Sequence, residues 1–283
     1  MDLPSEHQRS RGGVSMFHYT KLRRSLSAKA NSVLRSLTHR TRPPGTINVN
    51  GLWVRLDPNE AIQSTMASGS YEPEQTGWLK ECLGPGSVFA DVGANFGHYT
   101  GLASTIVGRK GHVFAFEPSP VASNVIASTI KDNRLRTITL TVAAVGDKDG
   151  TERIFMPVGD VVHSPSAFFS DPAFEPLEVP LIRLDTFKAM SGRTLDAIKV
   201  DVEGYEPNVI RGLQQMSSKG LIRNLIIEFN SGWLRRNEST PQDLFDLIVS
   251  FGFVVHRKTE ISQGPGRDGT SFECQDMWFK WRQ

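Results

Sequence analysis

The chain has 283 residues, 39% of them hydrophobic, a length that suits one large domain or two small ones. Lys+Arg 32 against Asp+Glu 30 leaves a net charge of +2, which excludes a protein that grips nucleic acid through an overall basic surface. No run approaches the ~18 apolar residues of a membrane span, and Cys82 and Cys274 stand far apart, so neither a disulfide framework nor a structural zinc site is expected. A reducing, cytoplasmic setting fits that cysteine usage.

The charge is unevenly distributed. Residues 1–45 hold nine Lys/Arg and two acids, whereas the remaining 238 carry 23 basic and 28 acidic side chains. Leu22, Leu26, Ala30, Val33 and Leu37 fall within about a quarter of a helical wheel, with Lys21, Arg24, Lys29 and Arg35 outside that arc. Two readings stand: a basic amphipathic helix that meets an anionic membrane surface or an acidic partner, or a solvated arm whose apolar stripe packs on the domain that follows. An organelle-targeting peptide also suits the Arg/Ser-rich, acid-poor segment, whereas a secretory signal lacks its apolar core here. Arg42-Pro43-Pro44-Gly45 reads as a linker, and the domain is predicted over 46–283.

From Ser87 onward strands and helices alternate. Strands are predicted at Ser87–Val92, His112–Glu117, Thr137–Val145, Ala197–Val202, Asn224–Phe229, Phe253–Arg257 and Met277–Trp281. Helices are predicted at His98–Val107, from Pro120 (capped by Ser119) to about Asp132, and at Pro207–Leu213 and Pro241–Phe251. Seven strands with interleaved helices predict an α/β fold with an open, mostly parallel sheet covered on both faces. Thr151–Pro157 and Val179–Leu184 also look like strands, and the Ser/Pro/Phe-rich loop between them, with His163, Phe168 and Phe169, is long enough to be a lid or disordered.

Ligands of such sheets sit outside the carboxyl ends of the strands. The first such turn is Asp91-Val92-Gly93-Ala94-Asn95-Phe96-Gly97, where Gly93 permits a tight turn and Gly97 lets the helix start close to whatever the backbone cradles. Glu117, twenty-four residues after Gly93, ends the second strand, where a carboxylate can accept both hydroxyls of a ribose. A diphosphate-binding fingerprint would need glycines at 95 and 98; those positions are Asn95 and His98. Asp91 sits poorly beside a diphosphate but well beside an ammonium group. S-adenosylmethionine, with ribose, ammonium and sulfonium and no phosphate, satisfies all of these features.

In Asp196-Ala197-Ile198-Lys199-Val200-Asp201-Val202-Glu203-Gly204-Tyr205-Glu206, strand alternation would place Lys199, Asp201 and Glu203 on one face at a strand's carboxyl end. Charged side chains in an apolar strand are costly without partners, so this segment is either part of the site or a structural ion pair.

These two segments carry a resemblance. Phe89-Ala90-Asp91-Val92-Gly93-Ala94-Asn95-Phe96-Gly97-His98-Tyr99-Thr100 resembles the first motif of the FkbM-type methyltransferases, Phe116-Glu117-Pro118 their ribose-binding strand end, and Ile198 to Glu206 their acidic segment. Gly69-Ser70-Tyr71-Glu72-Pro73-Glu74, Ala144-Val145-Gly146-Asp147, Leu184-Asp185-Thr186-Phe187 and Ile227-Glu228 extend the similarity over roughly 66–255. The resemblance implies a class I, S-adenosylmethionine-dependent methyltransferase with a final antiparallel strand, acting on a hydroxyl oxygen of a sugar, polyketide alcohol or related secondary metabolite. Its cofactor-binding candidates are Glu72, Asp91, Gly93, Ala94, Asn95, Gly97, Glu117, Pro118, Ala144 and Asp201.

The acceptor is expected to be a small molecule or glycan, and no nucleic-acid partner is expected. A hydroxyl needs a base as it attacks, and Asp201 and Glu203 are the candidates, with His163 from the loop as a third. No metal is assigned, although Asp201, Glu228 and Asn230 would offer oxygen ligands that suit Mg²⁺. An NAD-dependent oxidoreductase would share the sheet and Glu117, and a cofactor-free interaction module presenting the basic arm is a third reading; the missing glycines count against one, the intact Asp91, Gly93, Gly97 and Glu117 against the other.

Overall fold

A computed structural model describes residues 43–57, 59–157, 174–265 and 271–282. The predicted arm helix and the loop residue His163 lie outside the described residues.

The hairpin β1 (Ile47–Val49) and β2 (Leu52–Val54) is followed by two helices, α1 (Ala61–Ser68) and α2 (Pro73–Cys82). Alternation then begins with β3 (Val88–Val92), α3 (His98–Val107), β4 (His112–Phe116), α4 (Pro120–Asn133) and β5 (Ile138–Thr141). Next come β6 (Ala144–Val145), β7 (Gly150–Pro157) and β8 (Phe174–Ile182), which form a separate three-stranded sheet in the order β6-β8-β7. The chain then supplies β9 (Ala197–Val200), α5 (Glu206–Arg211), α6 (Gln214–Ser218) and β10 (Asn224–Asn230). It finishes with α7 (Ser231–Arg236), α8 (Pro241–Ser250), β11 (Phe253–Lys258), β12 (Ser262–Pro265) and β13 (Ser271–Trp281).

The main sheet runs β11-β13-β10-β9-β3-β4-β5. All pairs from β10 to β5 are parallel, and β13 is antiparallel to both neighbours. The seven predicted strands are all in it, and β12 adds an unpredicted eighth beside β13. From β3 the order proceeds to β4 on one side and to β9 on the other, so the switch point of the sheet lies at the end of β3.

Both faces are covered, and strand alternation shows how. Ala90, Val92, Phe114, Phe116, Ile198 and Val200 join a core with Val209 and Ile210 of α5 and Leu244 and Ile248 of α8. Their neighbours Phe89, Val113 and Ala197 join the opposite core with Trp78 and Leu79 of α2 and Tyr99, Leu102 and Val107 of α3. The helix starts follow local chemistry: Ser119 accepts from Ala122 N–H with Pro120 in the first turn, and Thr240 with Asp243 forms a capping box.

Four predicted strands differ, one of them Val179–Leu184, which begins at Phe174 and ends at Ile182. Thr137–Val145 is not one strand: after Thr141 the chain turns, Ala143 N–H donating to the Thr141 carbonyl, and β6 leaves for the smaller sheet. Ala197–Val202 ends at Val200, and Met277–Trp281 begins at Ser271. No helix of the described residues is long and apolar enough to cross a membrane.

Candidate active site

The turn from β3 into α3 passes through three left-handed residues, Gly93 (φ 80), Asn95 (φ 49) and Gly97 (φ 85). Gly93 and Ala94 N–H groups both donate to the Phe116 carbonyl at 3.0 Å, and Asp201 N–H donates to the Val92 carbonyl at 3.0 Å. The ends of β3, β4 and β9 are thereby stitched together. A Cβ on Gly93 would stand 1.8 Å from the Asp201 carbonyl oxygen. Gly93 makes the expected tight turn at φ 80 and is also required by the neighbouring strand end. Gly97, expected to let the helix start close to whatever the backbone cradles, instead serves the approach of α3 to α4: its Cβ would come 2.9 Å from Ile126 Cγ1.

Glu117 closes β4 with its carboxylate 2% exposed. Asn95 N–H donates to Oε2 and Ser119 N–H to Oε1, both at 2.7 Å. Each oxygen retains a lone pair, so two hydroxyls on adjacent carbons can still be accepted. Burial pushes the carboxyl up to about 7 against the pull of those two N–H groups. A carboxyl raised in this way is bound by protons more readily folded than unfolded. Its contribution to stability is complete below the ordinary value near 4.5 and is lost as pH rises through about 7.

At the end of β9, Lys199 Nζ lies 2.7 Å from Asp201 Oδ2 and 4.7 Å from the centre of the Tyr99 ring. Burial works against the Lys199 charge, but Asp201 and then Glu72 raise it well above its ordinary value, so it stays an ammonium. Glu203 does not extend the strand's alternation. It sits at φ 53, followed by Gly204 at φ 96, in a turn held by Glu206 Oε1, which accepts from Val202 and Gly204 N–H at 3.0 and 3.2 Å.

These ends face one cavity of about 1090 Å³, open mouth included. Of the sequence-derived candidates, Glu72, Gly93, Ala94, Asn95, Glu117, Pro118, Ala144, Asp201 and Glu203 line it. Asp91 and Gly97 are not among the lining residues. Asp91 is 1% exposed, accepts from Thr100 Oγ1 at 2.6 Å, and is pushed up to about 6 by burial. It therefore acts through the position of α3 rather than at the cavity surface.

Sequence reading assigned no role to Tyr71, His98, Tyr99, Glu152, Ile154 or Tyr205, which also line the cavity. Tyr71, His98 and Tyr99 cluster edge to face, with the Tyr99 hydroxyl donating to Glu72 at 2.6 Å. Burial, then Lys199 and Lys80, lower His98 to about 4, so its ring is neutral.

Two of the three residues considered as oxygen ligands for a metal have other partners. Asn230 Oδ1 caps α7 by accepting from Gly232 and Trp233 N–H, and Glu228 accepts from Cys274 Sγ at 3.2 Å. Burial, then Asp201 and Glu203, raise Glu228 well above the usual carboxylate range. Among the described residues no three His, Cys, Asp or Glu side chains converge as a metal site.

The parallel sheet with one reversed strand, the glycine turn and the acidic carboxyl ends define a class I methyltransferase fold with its site at the switch point. The model of the methyltransferase FkbM domain matches residues 91–255, more than half of the chain, and the chain belongs to that family. Among solved structures, a protein described as an rRNA methylase from Clostridium thermocellum is 11% identical with a TM-score of 0.46, over 75% of this chain and 95% of that one. A precorrin-6y C5,15-methyltransferase from Geobacter metallireducens GS-15 is 12% identical with a TM-score of 0.43, over 74% and 87%. A methyltransferase FkbM from Methylobacillus flagellatus KT is 16% identical with a TM-score of 0.41, over 76% and 52%. The comparison with curated proteins finds no match.

The cofactor is S-adenosylmethionine, and the residues present fit it. Glu117 offers paired oxygens for a ribose, and the acidic Glu72 on the same cavity wall suits the positive charge of the cofactor. Hydrogen bonds to a charged acceptor contribute roughly 1.5–3 kcal/mol each. Glu117→Ala is therefore expected to weaken S-adenosylmethionine binding at least about tenfold in a calorimetric titration. In the unaltered protein the affinity should rise as pH climbs through about 7 and Glu117 ionises, and the variant should lose that rise. Unchanged affinity in a folded Glu117→Ala protein would remove the ribose assignment.

Proposed function

We propose that this methyltransferase acts on a hydroxyl oxygen of a small sugar, glycan or secondary-metabolite acceptor, with Asp201 taking the hydroxyl proton. The observation that carries the reading is the Lys199–Asp201 pair on the cavity wall at the end of β9, with the Lys199 side chain 5% and the Asp201 side chain 24% exposed. When bound, S-adenosylmethionine supplies an electrophilic methyl group on its sulfonium. A hydroxyl attacks such a carbon poorly until its proton is leaving, so a fixed acceptor beside it is worth about 10²–10⁴ in rate. Lys199 holds Oδ2 in place while the carboxylate remains open to the cavity. Glu203 brings a second carboxylate to the same wall from the turn after β9.

The reading is tested with S-adenosylmethionine labelled with ¹³C in its methyl group and a panel of sugars, polyols and polyketide alcohols. A methoxyl carbon in the product spectrum is expected. A label found on nitrogen, sulfur or carbon of the acceptor would show a different nucleophile and remove the need for Asp201 as base.

A further inference from the structure

The sheet β6-β8-β7 lies off the main sheet, between β5 and β9 in the chain, yet it reaches the cavity. Glu152 and Ile154 are two residues apart on β7, so they share a face, and both line the cavity. Tyr205, just past the turn that carries Asp201 and Glu203, donates its hydroxyl to Glu152 Oε2 at 2.9 Å. The Tyr205 ring is itself held, because a Cβ on Gly146 would come 3.0 Å from its Cε1. Glu152 is thereby fixed against the acidic end of β9 although nothing in the main sheet requires it there.

The charge of the wall is one-sided. Apart from Glu72 and Glu117, which the cofactor engages, and Glu228, which burial holds toward its neutral form, its carboxyl groups are Glu152, Asp201 and Glu203, and among the described residues Lys199 is its one ammonium, with no arginine. Lys199 is already paired with Asp201, and His98 is neutral. An acceptor carrying a phosphate or carboxylate would bring like charge to this wall, where the described residues offer no free cation, and like-charge juxtaposition is how a site rejects wrong partners. A hydroxyl, by contrast, finds acceptor oxygens on several sides.

We propose that Glu152, clasped by Tyr205, is a specificity residue: it accepts a hydrogen bond from an uncharged polyhydroxyl acceptor and, with the carboxylates around it, excludes phosphorylated acceptors. The proposal rests on the hydroxyl reading above and narrows its substrate class.

The test uses the full chain with S-adenosylhomocysteine bound and matched probes: methyl glucoside against glucose 6-phosphate, ribose against ribose 5-phosphate, and glycerol against glycerol 3-phosphate. Saturation-transfer NMR gives the relative binding of each pair. Neutral members are expected to bind at least about tenfold better in the unaltered protein. Glu152→Lys should narrow or reverse that ratio by about tenfold, and Glu152→Gln, which keeps an oxygen for Tyr205, should weaken the neutral members several-fold. Affinity for S-adenosylhomocysteine, measured on every variant, reports an intact fold and cofactor site. The proposal is overturned if a phosphate binds as well as its neutral twin, if no neutral probe binds, or if both variants leave the ratio unchanged. It is also overturned if they lose S-adenosylhomocysteine instead, which would make Glu152 a cofactor contact. Failure of the hydroxyl reading would look different: the neutral preference would hold while the ¹³C label appeared on an atom other than oxygen.

Discussion

Asp201→Asn is expected to bind S-adenosylmethionine nearly as well as the unaltered protein while its single-turnover rate falls by about 10²–10⁴. The amide keeps the shape of the side chain but cannot take a proton from a hydroxyl. It also leaves Lys199, 4% exposed, without its counter-charge at 2.7 Å, and removing one member of a buried pair costs about 3–5 kcal/mol. A lowered Tm is therefore part of the expectation. Pairing Asp201→Asn with Lys199→Met should recover much of that stability without recovering the rate, which separates a lost base from a damaged fold. Glu203→Gln is the companion variant, and its left-handed backbone at φ 53 is unchanged by the swap. Loss of cofactor affinity with a preserved rate at saturation would mean that Asp201 holds the methionine end. The base would then be sought elsewhere, beginning with His163.

Gly93→Ala should be the most damaging single-methyl change in the turn. Left-handed backbone alone costs a non-glycine residue roughly 1–2 kcal/mol. Here the added carbon would also lie 1.8 Å from the Asp201 carbonyl oxygen, so the β3 and β9 ends must separate. Gly69 supplies the control: in the left-handed region at φ 76 and ψ 14, with nothing within 4 Å of an added Cβ, its alanine variant should lose only the backbone cost. Urea denaturation should place Gly93→Ala more than about 4 kcal/mol below the unaltered protein, in the range reserved for lost core structure. Cofactor binding should disappear with it. Equal losses at Gly93 and Gly69 would contradict the close approach of these two strand ends.

The difference between Gly93 and Glu117 shows what was legible in the sequence. Glu117 could be placed because a strand, a glycine turn and a carboxylate at the next strand's end are local features of one βαβ unit. The reason for Gly93 lies 108 residues away at Asp201, and no local pattern announces that contact. Helix α3 was readable from end to end because its apolar face repeats regularly and Gly97 and Gly108 bracket it. The hairpin β1–β2 and helix α2 were not, since three-residue strands and a helix containing Gly77 carry little periodic signal. Glu203 was misplaced by running strand alternation past Val200; Gly204 marked a turn, but Glu203's own positive φ is set by the grip of Glu206 on the backbone around it. Strand β7 was foreseen, yet which of its faces meets the cavity depends on its pairing with β8 and on Tyr205.

The most direct measurement is a calorimetric titration of the intact protein with S-adenosylmethionine and, separately, with NADH. Saturable one-to-one binding of S-adenosylmethionine with no heat beyond dilution from NADH is the predicted result. Saturable binding of NADH with none of S-adenosylmethionine would contradict the assignment of this cavity to a methyl donor.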